Sequence, residues 1–482
     1  MITKEQLDKY DMTIGIECHV QLNTKTKLFS GADNDARDKA PNMVISPIDY
    51  ALPGMLPVLN KEAVTKAVLA GHALKSEINL VSRFDRKHYY YPDLPKAYQI
   101  SQLYQPIIGA GQVIVVDSTT GDEEIIRIEH AHLEEDAGKL THRGDYSLVD
   151  LNRCGTPLIE IVSMPDIHSA ATARAYVTEL HRLMTFAGVT NGDLYQGNMR
   201  FDVNISIAKK GAKELGVRSE IKNLNSFRSV EKTAEYEFKR QVELLEAGKS
   251  VKQETRGWSE PKQKTMPQRS KEEANDYRYM PDPDIPPVVL TDEFVKKLYK
   301  VLPTMPGEYR AKWTPLKLNA SVTETLLNNH ILAQKLTAVL DQAGAKAAKM
   351  VANWFMLLNS DDFSHLNPEL LAETHLIELT EMVDANELNS TAAKEVFAEL
   401  FDQNKSPRTL AKEMNLLQVS SELAIVEIVD QVLALPESAQ AVADIKAGQD
   451  KAIGFLVGLV MRHSQGKANP GLAQKLIKER IK

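Results

Sequence analysis

Five short stretches of this chain gather residue types that do chemistry. The first is IGIECHVQL, where Glu17 and His19 stand two apart. In a strand, residues at i and i+2 share a face, so a carboxylate and an imidazole would look into one space, suited to a divalent cation or a proton-transfer pair. Taken alone, the same pair reads as readily as an edge-of-sheet carboxylate beside a hydrogen-bonded imidazole. The second is HAHLEEDAGK, which packs His130, His132, Glu134, Glu135 and Asp136 into seven positions. Like charges this close repel unless a cation joins them; Mg²⁺, which prefers hard oxygen ligands and phosphates, is the natural partner. Regular alternation sets His130, His132, Glu134 and Asp136 on one face and Glu135 on the other, unless a bulge re-aims Glu135. The competing reading is a solvated acidic turn ending at Gly138.

Three more stretches supply counter-charge and further oxygens. DRKHYYYPDLPK sets Arg86, Lys87 and Lys96 beside Tyr89, Tyr90, Tyr91 and Asp93; cations there could hold phosphoryl oxygens or a carboxylate. In DLNRCGTPLIEIVSMPD, Glu160 lies between Ile159 and Ile161, so its side chain faces away from the core. RSEIKNLNSFRSVEK offers Glu220, Lys222, Asn223 and Asn225 just before a helix whose N-terminus can accept an anion. No Walker A, GxSxG or GxGxxG pattern is present, nor a Ser-Lys amidase signature. Any use of ATP must therefore rest on carboxylate-held Mg²⁺, and nothing here releases ammonia from glutamine.

The elements that must position these residues can be read from periodicity. TIGIECHVQL, QVIVVDS, GDEEIIRIEHAHLEEDAGK and FDVNISIAK read as strands. One helix follows Asn60 as its cap, and another starts at Ser169 and stops near Gly188. On these signals alone residues 1 to about 290 form one large α/β unit. Positions 256–290 carry seven chain-breaking residues, from Gly257 to Pro287, and read as an irregular site loop. From 292 helical patterns dominate. The expected domains are 1–291, a helical domain 292–405, and a small helical tail 406–482 whose last helix begins at Pro470 under an Asn469 cap.

Bulk composition excludes little more. The chain has 482 residues, 43% hydrophobic and 26% charged, as in an ordinary globular protein of several domains. Two cysteines, Cys18 and Cys154, make no disulfide framework and fit a reducing compartment. No signal peptide or membrane span is apparent, so a cytoplasmic location is expected. The net charge of -7 argues against non-specific nucleic-acid binding by the whole surface. Residues 451–482 nevertheless hold seven basic side chains against one acid, which suits either phosphate contacts or a solvated helix face.

Together the stretches IGIECHVQL, DRKHYYYPDLPKAYQISQ, HLEEDAGK, NRCGTPLIEIVSMPD, IKNLNSF, ETRGW, SKEEANDYRYMPDPDIPP and GKANPGL resemble, in order, signatures of the GatB family, which supplies one component of the aspartyl/glutamyl-tRNA(Asn/Gln) amidotransferase. They run from residue 14 to 472. The resemblance implies an α+β chain: an N-terminal antiparallel-sheet cradle like the glutamine-synthetase catalytic domain, an all-helical middle and a YqeY-like helical tail. This corrects the α/β reading. It implies a cytoplasmic ligase, one component of a glutamine-hydrolysing amidotransferase. ATP phosphorylates the side-chain carboxylate of Glu-tRNA(Gln) or Asp-tRNA(Asn), and ammonia channelled from the GatA amidase then displaces phosphate. GatC completes the heterotrimer, and no membrane is involved.

By the same resemblance the metal ligands fall on Glu17, His19, Glu135, Glu160 and Glu220, with Glu134 and Asp136 beside them. Selecting Glu135 requires a bulge or turn at that residue. Glu135, Lys87 and Arg86 are the catalytic candidates, with Arg86 contacting nucleotide or substrate. Lys87 and Lys96 match the end of the ammonia path, and Tyr89, Asp93 and Asn223 shape the site. Lys467, Lys475 and Lys478 are the tRNA-binding candidates. Where many members read RCD, this chain reads Arg200, Phe201, Asp202, a difference expected to concern packing. Two alternatives compete, a non-catalytic tRNA-binding scaffold and a free-standing ligase acting on a small amino acid. The clustered acids disfavour the first, and the long helical C-terminal half disfavours the second.

Overall fold

A computed structural model describes residues 2–117, 121–268, 277–358, 370–418, 422–447, 450–464 and 468–481. The chain forms two compact units, Met1–Glu308 and Tyr309–Lys482. In the first, the strands are β1 Tyr10–Gln21, β2 Val81–Ser82, β3 Asp85–His88, β4 Tyr98–Ser101 and β5 Gly111–Val116. There follow β6 Glu123–Glu135, β7 Lys139–Arg143, β8 Tyr146–Asp150, β9 Pro157–Ser163 and β10 Met199–Lys209. The last are β11 Ser219–Leu224, β12 Glu254–Ser259, β13 Lys264–Pro267, β14 Met280–Pro281 and β15 Val288–Val289. The helices of this unit include α1 Lys4–Leu7, α2 Lys61–Ala73, α3 Ala170–Phe186, α4 Phe227–Glu246 and α5 Asp292–Lys300.

Eight strands make the central sheet in the order β13-β12-β11-β10-β1-β9-β6-β5. Neighbours are antiparallel except β11 and β12. That parallel pair has a simple cause: α4 lies between the two strands in sequence and returns the chain to the same end of the sheet. The expected strands and helices are all present. Asn60 and Ser169 cap α2 and α3 as read from sequence, and Gly188 follows α3 with φ +66°. Residues 269–276 of the expected site loop lie outside the described residues, and the described parts of the stretch 256–290 are less irregular than expected. Its start pairs into the sheet edge as β12 and β13, Met280–Pro281 pairs with β3, and Val288–Val289 pairs with β2.

Alternation divides the sheet chemically. Ile14, Ile16, Cys18 and Val20 of β1 are buried on one face, as are Ile159 and Ile161 of β9, Leu133 of β6, and Phe201, Val203 and Ile205 of β10. This face packs against α2, α3 and α4. Phe201 is fully buried, pairs across from Cys18 and lies 6.2 Å from the ring of Phe227, so its difference from RCD is indeed one of packing. The opposite face carries the polar residues. Helix α5 lays Phe294, Val295 and Leu298 against the core of this same unit.

The described parts of the second unit are helical, including His330–Phe355, Glu373–Asp384, Ser390–Glu399, Pro407–Glu413, Glu422–Leu433, Ile453–His463 and Pro470–Ile481. Trp354, Phe355, Phe397 and Phe401 form one aromatic cluster. Ile425, Val429, Leu456, Val460, Leu476 and Ile477 form the core of the C-terminal helices. Asn469 Oδ1 accepts from Leu472 N at 3.0 Å and caps the last helix, as expected. No described helix is long and apolar enough to cross a membrane.

Candidate metal centre

Strand register builds the site. Residues opposite one another in a ladder share a face, and β1 is the spine. His19 lies opposite Arg200 on β10 and Glu160 on β9, and Glu160 lies opposite His132 on β6. One register step away, Glu17 faces Asp202; beyond it Asn204 faces Glu220 on β11. The polar side chains therefore form rows across five strands.

Two groups of ligand atoms emerge. His19, Glu134 and Glu160 form one, and Glu17, Asp202 and Glu220 the other, the atoms of each group lying within 4.8 Å of one another. In the first, His19 Nε2 is 3.5 Å from Glu134 and 3.4 Å from Glu160, and His132 Nε2 is 3.5 Å from Glu160. In the second, Lys222 Nζ sits 2.9 Å from Glu220 and 3.4 Å from Asp202. Asn204 donates to Glu17 at 2.9 Å, and Thr255 donates to Glu220 at 2.9 Å.

The charges respond to this crowding. Burial, then the Glu160 charge, pushes Glu17 above the usual carboxylate range. Burial alone would lower His19, but a hydrogen bond to Glu160 and the charges of Glu160, Glu134 and Asp202 raise it to about 9. His132 is likewise raised against its burial, by Glu160 and Glu134. Glu160 moves the other way: although burial opposes ionisation, His132, His19 and Lys87 hold it well below the carboxylate range. The site thus concentrates anionic oxygens that draw cations from every side. Oxygen-rich sets, one with a single imidazole and one of carboxylates alone, suit a hard divalent ion.

Asp202 was not among the sequence-derived ligands. The signal was present, since Arg200, Asp202 and Asn204 alternate along β10 as Glu17 and His19 do along β1. Asn223 explains how Asp202 is held. Lys222 and Asn223 together oppose Asp202 in a bulge between β10 and β11. Asn223 takes φ +61°, a left-handed conformation that Asn tolerates, and its backbone N–H donates to Asp202 Oδ1 at 2.8 Å.

Glu135 lies elsewhere. Pairing between β6 and β9 is regular from His130 to Glu135, and the only irregularity of that ladder falls between Ile128 and His130. The bulge expected at Glu135 is absent, so alternation turns its carboxylate away from Glu134 to the other face. There it grips Lys96, with Glu135 Oε2 2.6 Å from Nζ, and accepts from Ile100 N at 3.0 Å. Both side chains are buried. Asp136 is also outside the two groups, paired with Arg200 at 2.8 Å and Arg153 at 3.2 Å.

The remaining candidates are placed as follows. Lys87 Nζ stands 4.9 Å over the ring of Tyr277; burial would lower its pKa, but Glu134, Tyr279 and Glu160 raise it. It therefore lies on the side of Glu134 and Glu160. Arg86 is engaged by Asp282 at 2.8 Å and Asp284 at 2.7 Å, over the ring of Tyr98. Tyr89 stacks edge-on with Tyr91 and Tyr277, and Asp93 accepts the Gly138 N–H through its carbonyl at 2.9 Å. Lys475 is 3.9 Å from Glu479 on the last helix, which also bears Lys478; Lys467 lies outside the described residues.

Comparison with known proteins agrees with this architecture. A family model described as the GatB/GatE catalytic domain matches residues 12–296, and one described as the GatB domain matches 334–481. The GatB-type component of the aspartyl/glutamyl-tRNA(Asn/Gln) amidotransferase of Thermotoga neapolitana is 42% identical, with 98% of this chain and 99% of that protein covered. Its counterpart in Persephonella marina is 42% identical over 98% of this chain and all of that protein, and that of Caldicellulosiruptor saccharolyticus 40% over 98% and 99%. Full-length matches of this kind, on a chain whose sheet assembles the acidic rows, make it a member of the GatB family of aspartyl/glutamyl-tRNA(Asn/Gln) amidotransferase components.

Proposed function

We propose that this chain activates the side-chain carboxylate of Glu-tRNA(Gln) or Asp-tRNA(Asn) by ATP-dependent phosphorylation and completes the amidation with ammonia from a GatA-type amidase, in a heterotrimer with a GatC-type protein. The observation that carries the reading is the pair of acidic groups on one sheet face, His19–Glu134–Glu160 and Glu17–Asp202–Glu220. A scaffold for an anionic polymer has no use for such a concentration of negative charge, whereas phosphoryl transfer does.

The chemistry needs three things from the chain. A carboxylate resists ammonia because its leaving group would be oxide, and phosphorylation supplies a better one. The two groups would hold Mg²⁺, which offsets charge on the transferring phosphoryl group. Lys87, cationic beside Glu134 and Glu160, is placed to steady the carboxylate or its acyl phosphate. One well-aimed electrostatic contact of this type contributes about 3–4 kcal/mol. Lys222 and His19 offset the charge of the acidic oxygens and yield them to a cation. On the other face, the buried Lys96–Glu135 pair is the polar feature that ammonia would meet, which gives Glu135 a role separate from metal binding. Arg86, fixed by Asp282 and Asp284, braces β3 beneath Lys87. Lys467, Lys475 and Lys478 remain the proposed tRNA contacts.

The test is product formation by the reconstituted heterotrimer given Glu-tRNA(Gln), ATP and free ammonia. Wild type forms Gln-tRNA(Gln) only with ATP. Glu160→Gln loses product by roughly 10²–10³-fold while still binding tRNA. Undiminished product from Glu160→Gln, or product without ATP, would remove the basis for the reading.

A further inference from the structure

Lys87 is a cation held by a ring rather than by a carboxylate. Its Nζ stands 4.9 Å over the ring of Tyr277. Among the described residues its ammonium makes no hydrogen bond or ion pair, unlike Arg86, which grips Asp282 and Asp284, and Lys96, which grips Glu135. The charges of Glu134 and Glu160 act on it from beyond ion-pair distance. The distinction has a chemical consequence. A carboxylate in contact neutralises an ammonium and occupies its donors. A ring face attracts the charge through its quadrupole and leaves all three N–H donors free for an incoming anion.

Tyr277 is itself the middle ring of a row. Tyr89 packs edge-on against it with centroids 6.1 Å apart at 71°, and Tyr279 does so at 6.1 Å and 80°. Edge-to-face contacts set a ring's tilt as well as burying it. Among the described residues neither Tyr277 nor Tyr279 uses its hydroxyl in a hydrogen bond, so what these side chains offer is the ring.

On β3 the two neighbours of Lys87 bind the segment that carries the tyrosines. His88 N donates to Tyr277 O at 2.8 Å, and His88 Nδ1 lies 2.9 Å from Arg278 O. Successive carbonyls of an extended strand point opposite ways, so two that converge on one residue need a turn between them. Arg278 supplies it with φ +44°, a left-handed conformation uncommon for a long side chain. On the other side of Lys87, Met280 pairs with Arg86, whose guanidinium holds Asp282 at 2.8 Å and Asp284 at 2.7 Å. Backbone strain kept beside a candidate site points to whatever it places, and here it places Tyr277.

We propose that Tyr277, steadied by Tyr89 and Tyr279, is a positioning residue: its ring holds the Lys87 ammonium with donors uncommitted, ready for the substrate's side-chain carboxylate or its acyl phosphate. This rests on the role given to Lys87 in the phosphoryl-transfer reading above.

The experiment measures kcat and KM for Gln-tRNA(Gln) formation by the reconstituted heterotrimer supplied with ATP, Glu-tRNA(Gln) and free ammonia. Tyr277→Phe keeps the ring and is expected to match wild type. Tyr277→Leu removes it and should lower kcat roughly 10-fold, with KM for ATP and for aminoacyl-tRNA unchanged. Pentafluorophenylalanine at position 277 keeps the ring's shape but reverses its charge distribution, and should be as slow as Tyr277→Leu. Lys87→Met should be slower still. Lys87→Met with Tyr277→Leu should be no slower than Lys87→Met alone, because the ring acts only through the ammonium. A slow Tyr277→Phe would give the role to the hydroxyl, and wild-type rates with pentafluorophenylalanine would reduce Tyr277 to packing; either overturns the proposal. A double variant slower than Lys87→Met by the full effect of Tyr277→Leu would overturn it too, and leave the role of Lys87 standing. A wild-type rate for Lys87→Met would overturn that role and the proposal with it.

Discussion

Replacing Lys96 with Met leaves Glu135 buried at 2% exposure with one backbone N–H for company. Breaking a buried ion pair from one side typically costs about 3–5 kcal/mol. Here a proton sets the ceiling. Burial already raises Glu135 above the ordinary range, and Lys96 is the main group holding it down. Without Lys96 the carboxyl can take up a proton instead of staying charged. From an unfolded pKa of ~4.3, at ~1.36 kcal/mol per pH unit, that costs at most about 4 kcal/mol at pH 7.5 and about 1.6 kcal/mol at pH 5.5. The sign follows from proton counting: the folded variant binds a proton the unfolded chain has released, so its stability falls as pH rises from the unfolded pKa toward the folded one. Urea unfolding of wild type and Lys96→Met at both pH values measures the deficit. It should be larger at pH 7.5, and Lys96→Met with Glu135→Leu should recover much of it. An equal deficit at both pH values would refute the reasoning.

Three other expectations follow from particular contacts. Cys154 is buried and, chiefly through that burial, its thiol is pushed up to about 12; at pH 8 roughly one molecule in 10⁴ is thiolate against about one in four for an ordinary thiol, so labelling of the folded chain by a thiol reagent should be about 2,500-fold slower than after unfolding. Asn223→Ala, at a φ of +61°, should cost about 1–2 kcal/mol in urea unfolding, whereas Asn223→Gly should be nearly neutral, since only the first meets the left-handed penalty. Replacing Lys475 and Lys478 with Gln should reduce the slope of log binding constant against log salt for tRNA by roughly two, with ATP hydrolysis unchanged.

Much of the site was legible because strand alternation is a strict rule. It gave Glu17 with His19 and put Glu134 with His132, and the pairing registers carry both pairs to one face. The same rule assigned Glu135 to the far face, and the resemblance overrode it by asking for a bulge. The bulge exists, but six residues earlier at Glu129, where it shifts the strand without separating Glu134 from its neighbours. Asp202 was missed because its partner residues come from β1 and β11, far away in sequence, and the alternation of Arg200, Asp202 and Asn204 along β10 does not by itself show which strands lie beside it. The parallel pair β11–β12 and the strands within 256–290 were hidden for a related reason: prolines and glycines mark breaks but do not reveal which edge strands form between them. The apolar faces of β1, β9 and β10 could be read directly, since burial on one side leaves an unbroken alternation.

Glu134 and Glu135, adjacent in β6, point to opposite faces of one sheet, and only Glu134 is assigned to the proposed phosphoryl-transfer site. The most direct measurement is transfer of the γ-phosphate of ATP to the glutamyl group of Glu-tRNA(Gln), trapped before ammonia is supplied, in heterotrimers carrying wild type, Glu134→Gln or Glu135→Gln. Under this assignment wild type and Glu135→Gln form the activated ester and Glu134→Gln does not. Loss of the ester in Glu135→Gln with its retention in Glu134→Gln would contradict it.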